Sequence, residues 1–218
     1  MFRRTKQGCF WYDDNMFFNI LNPFYIARRG LKRAIESVKL DGKVLDVGAG
    51  SQPYKYLYKD YTSLEIEGKQ ADFNYTIRFP FGDKVFDSVL CTQVLEHVSE
   101  PNSFLSEIGR VTKGKILITC PLMWNEHEQP RDYMRYTSFG LRNLLLKNNF
   151  KIVEQRKIGG DLSAVFQLIN VFIYSLTCNK RWTRIMGKII CVPFTLVGLS
   201  LSWIKTDDFY LDNLIVAE

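Results

Sequence analysis

The run Val44-Leu45-Asp46-Val47-Gly48-Ala49-Gly50 constrains this chain more than any other segment, because an apolar stretch is interrupted by an acid and closed by two glycines one residue apart. Such a stretch reads as a buried strand. Glycine lets the backbone turn sharply and lets a ligand approach where a Cβ would collide. A dinucleotide loop of the form Gly-x-Gly-x-x-Gly would add a third glycine where the next helix packs closely on the strand. Pro53 stands there instead. The pyrophosphate reading is therefore weakened, and Asp46 points to a ligand that is cationic or rich in hydroxyls.

Short β-branched or apolar runs that end in small or polar residues recur at 61–66, 86–91 and 115–120, with helical patterns between them. The clearest of these helices covers 103–111, where Phe104, Leu105, Ile108 and Val111 form one stripe before Lys113-Gly114 stops it. A basic amphipathic helix is expected over 22–40, with Asn22 as its N-cap and Pro23 in its first turn. Strands alternating with helices predict an α/β fold with a doubly wound, mostly parallel sheet, in which ligands sit outside the carboxyl ends of the strands. The segments 46–50, 92–97 and 121–136, together with Glu65, all follow expected strands, so one rim of one sheet gathers them.

At 218 residues the chain suits one domain with an appendage, and 46% hydrophobic with 24% charged residues is an ordinary globular balance. The net charge of +6 favours anionic partners, although a solvated basic face accounts for it equally well. Five cysteines, none spaced Cys-x-x-Cys, predict neither a disulfide framework nor a zinc ribbon, and fit a reducing compartment. Two histidines 30 positions apart, His97 and His127, give no metal-site pattern. The basic, aromatic N-terminus is broken by Asp13 and Asp14 and does not read as a secretory signal.

Glu65 ends the second expected strand at the interval where an acid accepts hydrogen bonds from ribose hydroxyls. Val44 to Gly50, Leu64-Glu65-Ile66, Phe79-Pro80-Phe81, Phe86-Asp87-Ser88-Val89-Leu90 and Gln93-Val94-Leu95-Glu96-His97-Val98, in that order, resemble the class I S-adenosylmethionine-dependent methyltransferases, specifically the methyltransferase type 11 group. The resemblance covers roughly residues 40–158 and the last strand. It implies a seven-stranded Rossmann-like methyltransferase fold with S-adenosyl-L-methionine as cofactor. It further implies that Asp46, Gly48, Ala49, Gly50 and Ser51 hold the amino-acid end of the cofactor and Glu65 its ribose. Gln93, Val94 and Leu95 begin the loop that would close over it. Where the family carries an acid near the adenine amine this chain has Tyr75, so Asn74 or Asp72 is expected to take that role.

The segment 124–137 is dense in polar and aromatic groups for a connection, which marks a binding loop. Transfer to a hydroxyl needs a proton acceptor. His127 is the preferred general base, since an imidazole near a pKa of about 6.5 accepts a proton at neutral pH; the alternative is a structural histidine. Trp124, Asn125, Asp132, Arg135 and Tyr136 are the candidate acceptor-binding residues. Arg131 and Arg135, four apart, would grip a phosphate or carboxylate from one helical face, or else pair with Asp132, Glu126 or Glu128.

The expected boundaries within one domain are an N-terminal helical lid over 1–40, a cofactor-binding core over 41–160, an apolar helical insert over 161–205 and a last strand over 206–218. In the insert, Leu162, Val165, Phe166, Ile169, Phe172, Ile173 and Leu176 share one helical face, with Ser163, Gln167 and Ser175 off it. A spanning hairpin would carry Lys180, Arg181 and Arg184 to the far side, against the positive-inside tendency. The reading favoured is therefore helices in the membrane interface, with a basic loop and Trp182 and Trp203 at the head groups. The competing reading is an enlarged core or a dimer interface.

Together these features predict a cytoplasmic enzyme, peripheral at the inner face of the membrane. It would O-methylate a small-molecule or lipid-linked acceptor such as a lipid-linked sugar or a surface-polysaccharide precursor. A quinone-like acceptor, RNA, and a non-catalytic cofactor-binding scaffold are the alternatives. DNA is not expected as a partner, and RNA is disfavoured because the basic residues are scattered and no RNA-binding module is recognisable.

Overall fold

Runs of valine, isoleucine and leucine that stop at acids, glycines or prolines set the centre of this fold. The computed structural model describes residues 19–65, 73–74 and 78–218. Most of the basic N-terminal stretch of the expected lid, Asp72 and the side chain of Asn74 lie outside the described residues. The chain divides into two compact units.

The first unit comprises residues 36–122, 131–156 and 213–218 and carries the sheet. Its strands are β1 (Lys43–Val47), β2 (Asp60–Glu65), β3 (Phe73–Asn74), β4 (Ser88–Thr92), β5 (Ile116–Pro121), β6 (Ile152–Ile158) and β7 (Asp212–Ala217), in the order β3-β2-β1-β4-β5-β7-β6. Neighbours from β3 through β5 run parallel. Lys151 and Glu218 exchange backbone hydrogen bonds of 2.7 and 2.9 Å, the mark of an antiparallel β6–β7 pair. The strand order reverses between β1 and β4, and the crevice outside their carboxyl ends is where such a sheet binds ligands.

The two-residue strand β3 was not visible as a strand in the sequence, because it is too short to show periodicity. The central strands β1, β4 and β5 are buried almost end to end and so require helices on both faces. Helix α2 (Pro101–Val111) buries the expected stripe of Phe104, Leu105, Ile108 and Val111. Helix α3 (Ser138–Lys147) opens at Thr137, whose Oγ1 accepts from the Gly140 amide at 3.0 Å, and buries Leu141 and Leu145.

The Phe79-Pro80-Phe81 motif is structural. Phe79 is 2% exposed and meets Phe104 edge-on at 5.8 Å, while Phe81 meets Phe86 at 4.9 Å. Arg110 braces the motif, donating to the carbonyls of Phe79 and Phe81 and to Glu107 and Asp83. Glu107 accepts from the Phe79 amide at 2.9 Å. The Arg110 hydrogen bonds hold the Glu107 carboxyl below its ordinary range.

The second unit comprises the residues up to 35, 123–130 and 157–212. The segment 123–130 thus leaves the expected 41–160 core and joins the N-terminal helix and the insert. Helix α1 (Tyr25–Glu36) is preceded by Asn22, whose Oδ1 accepts from the Phe24 amide at 3.0 Å; the helix ends at Glu36 rather than at residue 40. Phe24, the first residue of that turn after Pro23, packs against Trp124 and Tyr174 with ring centroids 5.8 and 5.5 Å apart. The insert folds into α4 (Ser163–Thr177) and α5 (Arg181–Ser200).

The amphipathic pattern of α4 is used in reverse of an ordinary core helix. Its buried residues are Ser163, Ala164, Gln167, Asn170, Val171 and Tyr174, and the stripe containing Val165, Phe172 and Leu176 faces outward. Polar partners inside explain this. Gln167 accepts from the Ala27 amide at 3.1 Å and donates to the Pro23 carbonyl at 2.8 Å, and Asn170 donates to Thr195 at 2.8 Å. The expected basic loop is also displaced, since Arg181 and Arg184 lie in the first turn of α5, with Arg184 Nε donating to the Cys178 carbonyl at the end of α4.

Replacing Arg110 with Ala removes several charge-assisted hydrogen bonds at once and leaves Glu107 without its cation. It is expected to destabilise the protein by about 2–3 kcal/mol, read as a lower urea midpoint at unchanged m-value.

Candidate functional site

Strand β1 delivers Asp46 to the switch point, and burial decides its chemistry. Asp46 is 1% exposed; its Oδ2 accepts from the Tyr61 hydroxyl at 2.7 Å, whereas its Oδ1 is buried without a hydrogen-bond partner among the described residues. Burial pushes the carboxyl up to about 7, the Tyr61 hydrogen bond opposes this, and the Glu65 charge adds to it. Tyr58 stacks on Tyr61 at 6.5 Å, and its phenol is pushed up to about 12 by burial and by the charge of Asp46. The sequence reading missed both tyrosines; their only signal was position, beside the second strand that pairs with β1.

The two glycines do different work. Gly48 has φ +70°, and a Cβ there would stand 2.3 Å from Val94 Cγ2, so the loop after β4 demands this glycine. Gly50 has φ +52° and no described atom within 4 Å of where its Cβ would be, leaving open space above the backbone. Glu65 Oε2 accepts from the Gly50 amide at 3.0 Å, which ties the end of β2 to the glycine turn. Ala49 is buried and Ser51 half-buried in the same turn.

Gln93 leaves β4 with φ +55° and donates from Nε2 to Thr119 Oγ1 at 3.3 Å. Val94 and Leu95 are buried, and Leu95–His97 form a single 3-10 turn. That turn clamps the chain after residue 130. The Glu96 carbonyl accepts from the Tyr133 amide at 2.9 Å, and His97 Nδ1 lies 2.6 Å from the Arg131 carbonyl. His97 is thus a positioning group on this loop.

Residues 131–136 form no helix, so the helical face expected to unite Arg131 and Arg135 is absent. Arg135 instead makes a two-pronged pair with Asp132, both bonds 2.6 Å long, and the Asp132 side chain is 3% exposed. Of the two readings for Arg135, the internal ion pair is the one formed. Tyr136 packs on the main core and accepts at its carbonyl from Asn213 at 2.7 Å.

The other part of the 124–137 segment belongs to the second unit. His127 is half-buried with Nδ1 3.2 Å from the Asn125 carbonyl. A donor at Nδ1 puts the lone pair on Nε2, the tautomer a proton acceptor needs. Trp124 and Asn125, with Met123, Leu168, Val171 and Phe172, line an apolar cleft of about 390 Å³ that Ser175 completes. This volume is within the range of small-molecule sites.

The seat around β1 fits an S-adenosylmethionine-type ligand on the structure's own terms. A buried carboxylate oxygen with no partner among the described residues requires a donor or a cation, no described atom crowds Gly50 four residues on, and the Glu65 carboxylate anchors that turn.

Comparisons with known proteins give one family-model match and a shared fold. A family model described as a methyltransferase domain matches residues 45–118. An uncharacterized protein of Methanocaldococcus jannaschii is 34% identical over 96 residues, covering 37% of this chain and 41% of that relative, so the chain spans about two fifths of the relative's length. The crystal structure of the [4+2]-cyclase SpnF aligns with TM-score 0.57 at 19% identity, covering 87% of this chain and 79% of that one. A Thermotoga maritima S-adenosylmethionine-dependent methyltransferase, titled a possible histamine N-methyltransferase, aligns with TM-score 0.57 at 14% identity, covering 89% and 90%. Identities this low show a shared fold.

A carboxyl whose folded pKa is raised above the unfolded value of 3.8 to about 7 costs stability as pH rises through that window. The ligand-free protein should therefore lose stability relative to Asp46→Asn between pH 4 and pH 7, by up to roughly 4 kcal/mol. Paired denaturant titrations across that range measure the difference; parallel pH profiles would show that Asp46 is not strained by burial.

Proposed function

We propose that this chain, which carries a class I S-adenosylmethionine-dependent methyltransferase domain, methylates a hydroxyl on a membrane-proximal acceptor such as a lipid-linked sugar or a surface-polysaccharide precursor. The orphaned oxygen of buried Asp46 carries the methyl-transfer part of this reading. An ammonium group meets its requirement, and S-adenosylmethionine is the cofactor. When bound, it supplies a methyl group activated by a sulfonium.

The protein's own groups do the rest. Asp46 and the turn from Gly48 to Ser51 would hold the amino-acid end, Glu65 the ribose diol, and Gln93 to Leu95 would cover the ligand, with Asn74 or Asp72 at the adenine. His127 Nε2 would accept the proton of the acceptor hydroxyl, and Asn125 keeps its ring in the required tautomer. Orientation of the reacting groups alone is worth roughly 7–11 kcal/mol.

The apolar cleft beside Trp124 and Asn125 supports a lipid-linked acceptor. A polar acceptor would leave that lining without a partner, whereas an alkyl or isoprenoid portion would fill it. This reading places the enzyme in the cytoplasm at the inner face of a membrane.

Calorimetric titration with S-adenosylmethionine, followed by transfer of radiolabelled methyl into a lipid extract, tests both halves. His127→Ala should keep cofactor affinity and lower turnover by about 10²–10⁴-fold. Full activity in that variant would assign the proton to another group. Binding without turnover on any extract would favour a cofactor-binding scaffold, and no binding would sink the reading altogether.

A further inference from the structure

Helices α4 and α5 form a hairpin that is built inside out. Its seam is made of small and polar residues: Gly187, Cys191, Thr195 and Gly198 are the buried positions of α5. A Cβ on Gly187 would stand 2.0 Å from Thr177 Oγ1, and one on Gly198 would stand 2.8 Å from Phe166 Cβ, so the helices touch backbone-close. Across the seam Asn170 donates to Thr195 and the Cys191 thiol reaches the Asn170 carbonyl at 3.6 Å, while Thr195 donates within α5 to the Cys191 carbonyl at 3.0 Å. Close backbone approach with polar bonds inside is how helices associate when their surroundings are as apolar as they are.

The outer surface is apolar to match. Phe172 and Leu176 are 66% and 65% exposed on α4, which contains no charged residue. On α5 Ile185, Met186, Ile189, Ile190, Leu196 and Val197 are all exposed. A water-facing helix pair would place these groups in its seam and charges outside. An apolar surface this continuous marks a partner or a membrane.

Charge selects between them. From 162 to 206 the sequence has no acid, and its five cations are Lys180, Arg181, Arg184, Lys188 and Lys205. Three gather at the hairpin tip beside Trp182, which is 81% exposed; Lys188 lies two turns into α5, and Lys205, at the base beside the 73% exposed Trp203, pairs with Asp161 at 3.2 Å. A cationic tip and a tryptophan at each end of an apolar face match anionic head groups over acyl chains.

Geometry favours an in-plane hairpin over a crossing. The base is closed by the Leu162 amide donating to the Ile204 carbonyl at 2.9 Å and by the Asp161–Lys205 bridge, so the chain leaves and returns at one place. Helix α5 has 20 residues, enough to span, but α4 has only 15. We infer that the α4–α5 hairpin lies in the plane of an anionic bilayer surface, its apolar outer face among the acyl chains and its tip and base at the head groups. This inference stands without the methyltransferase reading.

Vesicle flotation tests it. The protein should float with phosphatidylglycerol vesicles and remain below with phosphatidylcholine. Leu176→Glu combined with Ile189→Glu, both at exposed positions outside the cleft, should abolish flotation while S-adenosylmethionine affinity is retained. Lys180→Ala with Arg181→Ala should weaken vesicle binding by roughly 30-fold. With Trp11 and Trp124 replaced by Phe, Trp182 and Trp203 should be quenched equally by shallow bromolipids added to one leaflet.

A protein that ignores phosphatidylglycerol vesicles overturns the inference. So does a stable dimer that Leu176→Glu with Ile189→Glu dissolves, since a second copy would then cover the face. Quenching of Trp182 and Trp203 from opposite leaflets would replace the in-plane hairpin with a spanning one. Flotation without methyl transfer would leave the hairpin standing and fell only the enzymatic proposal.

Discussion

The cofactor seat depends on one buried carboxylate whose hydrogen bonding is half met. Asp46 is fixed by the parallel register of β1 between β2 and β4, and Tyr61, from the adjoining strand, supplies one donor. Its other oxygen is held out of water with no partner among the described residues, at a cost the fold alone does not recover. Buried groups perturbed in this way cluster at functional sites. The glycine turn, the Glu65 anchor and the loop after β4 are arranged around it, and Val94 occupies the space that makes Gly48 obligatory.

Much of the core was legible in the sequence because its residues carry a strong local period. The stripe of α2 and the strand ending at Asp46 follow from spacing and turn chemistry alone. Tyr58, Tyr61 and the Arg110 brace were not legible, because they act through contacts between segments far apart in sequence. For the same reason spacing could not tell a ligand-gripping Arg135 from one paired to Asp132.

The insert shows where periodicity gives a pattern but not its direction. The apolar stripe of α4 was readable, yet which face packs inward was decided by Gln167 and Asn170 finding partners in α5 and at the start of α1. Polar groups in the seam and apolar groups outside make sense when the surroundings are lipid, and the acid-free stretch carrying them is consistent with that environment. The cleft beside Trp124 shares Phe172 with the outward face.

The central claim is that the ammonium of S-adenosylmethionine satisfies Asp46, and proton release on binding tests it most directly. A carboxyl with a pKa of about 7 is half protonated at pH 7 and must ionise fully when a cation docks on it. Calorimetric titrations at pH 7 in two buffers of different ionisation heat should show the wild type releasing about half a proton more per cofactor bound than Asp46→Asn. Equal release from the two proteins, with equal affinity, would contradict the account.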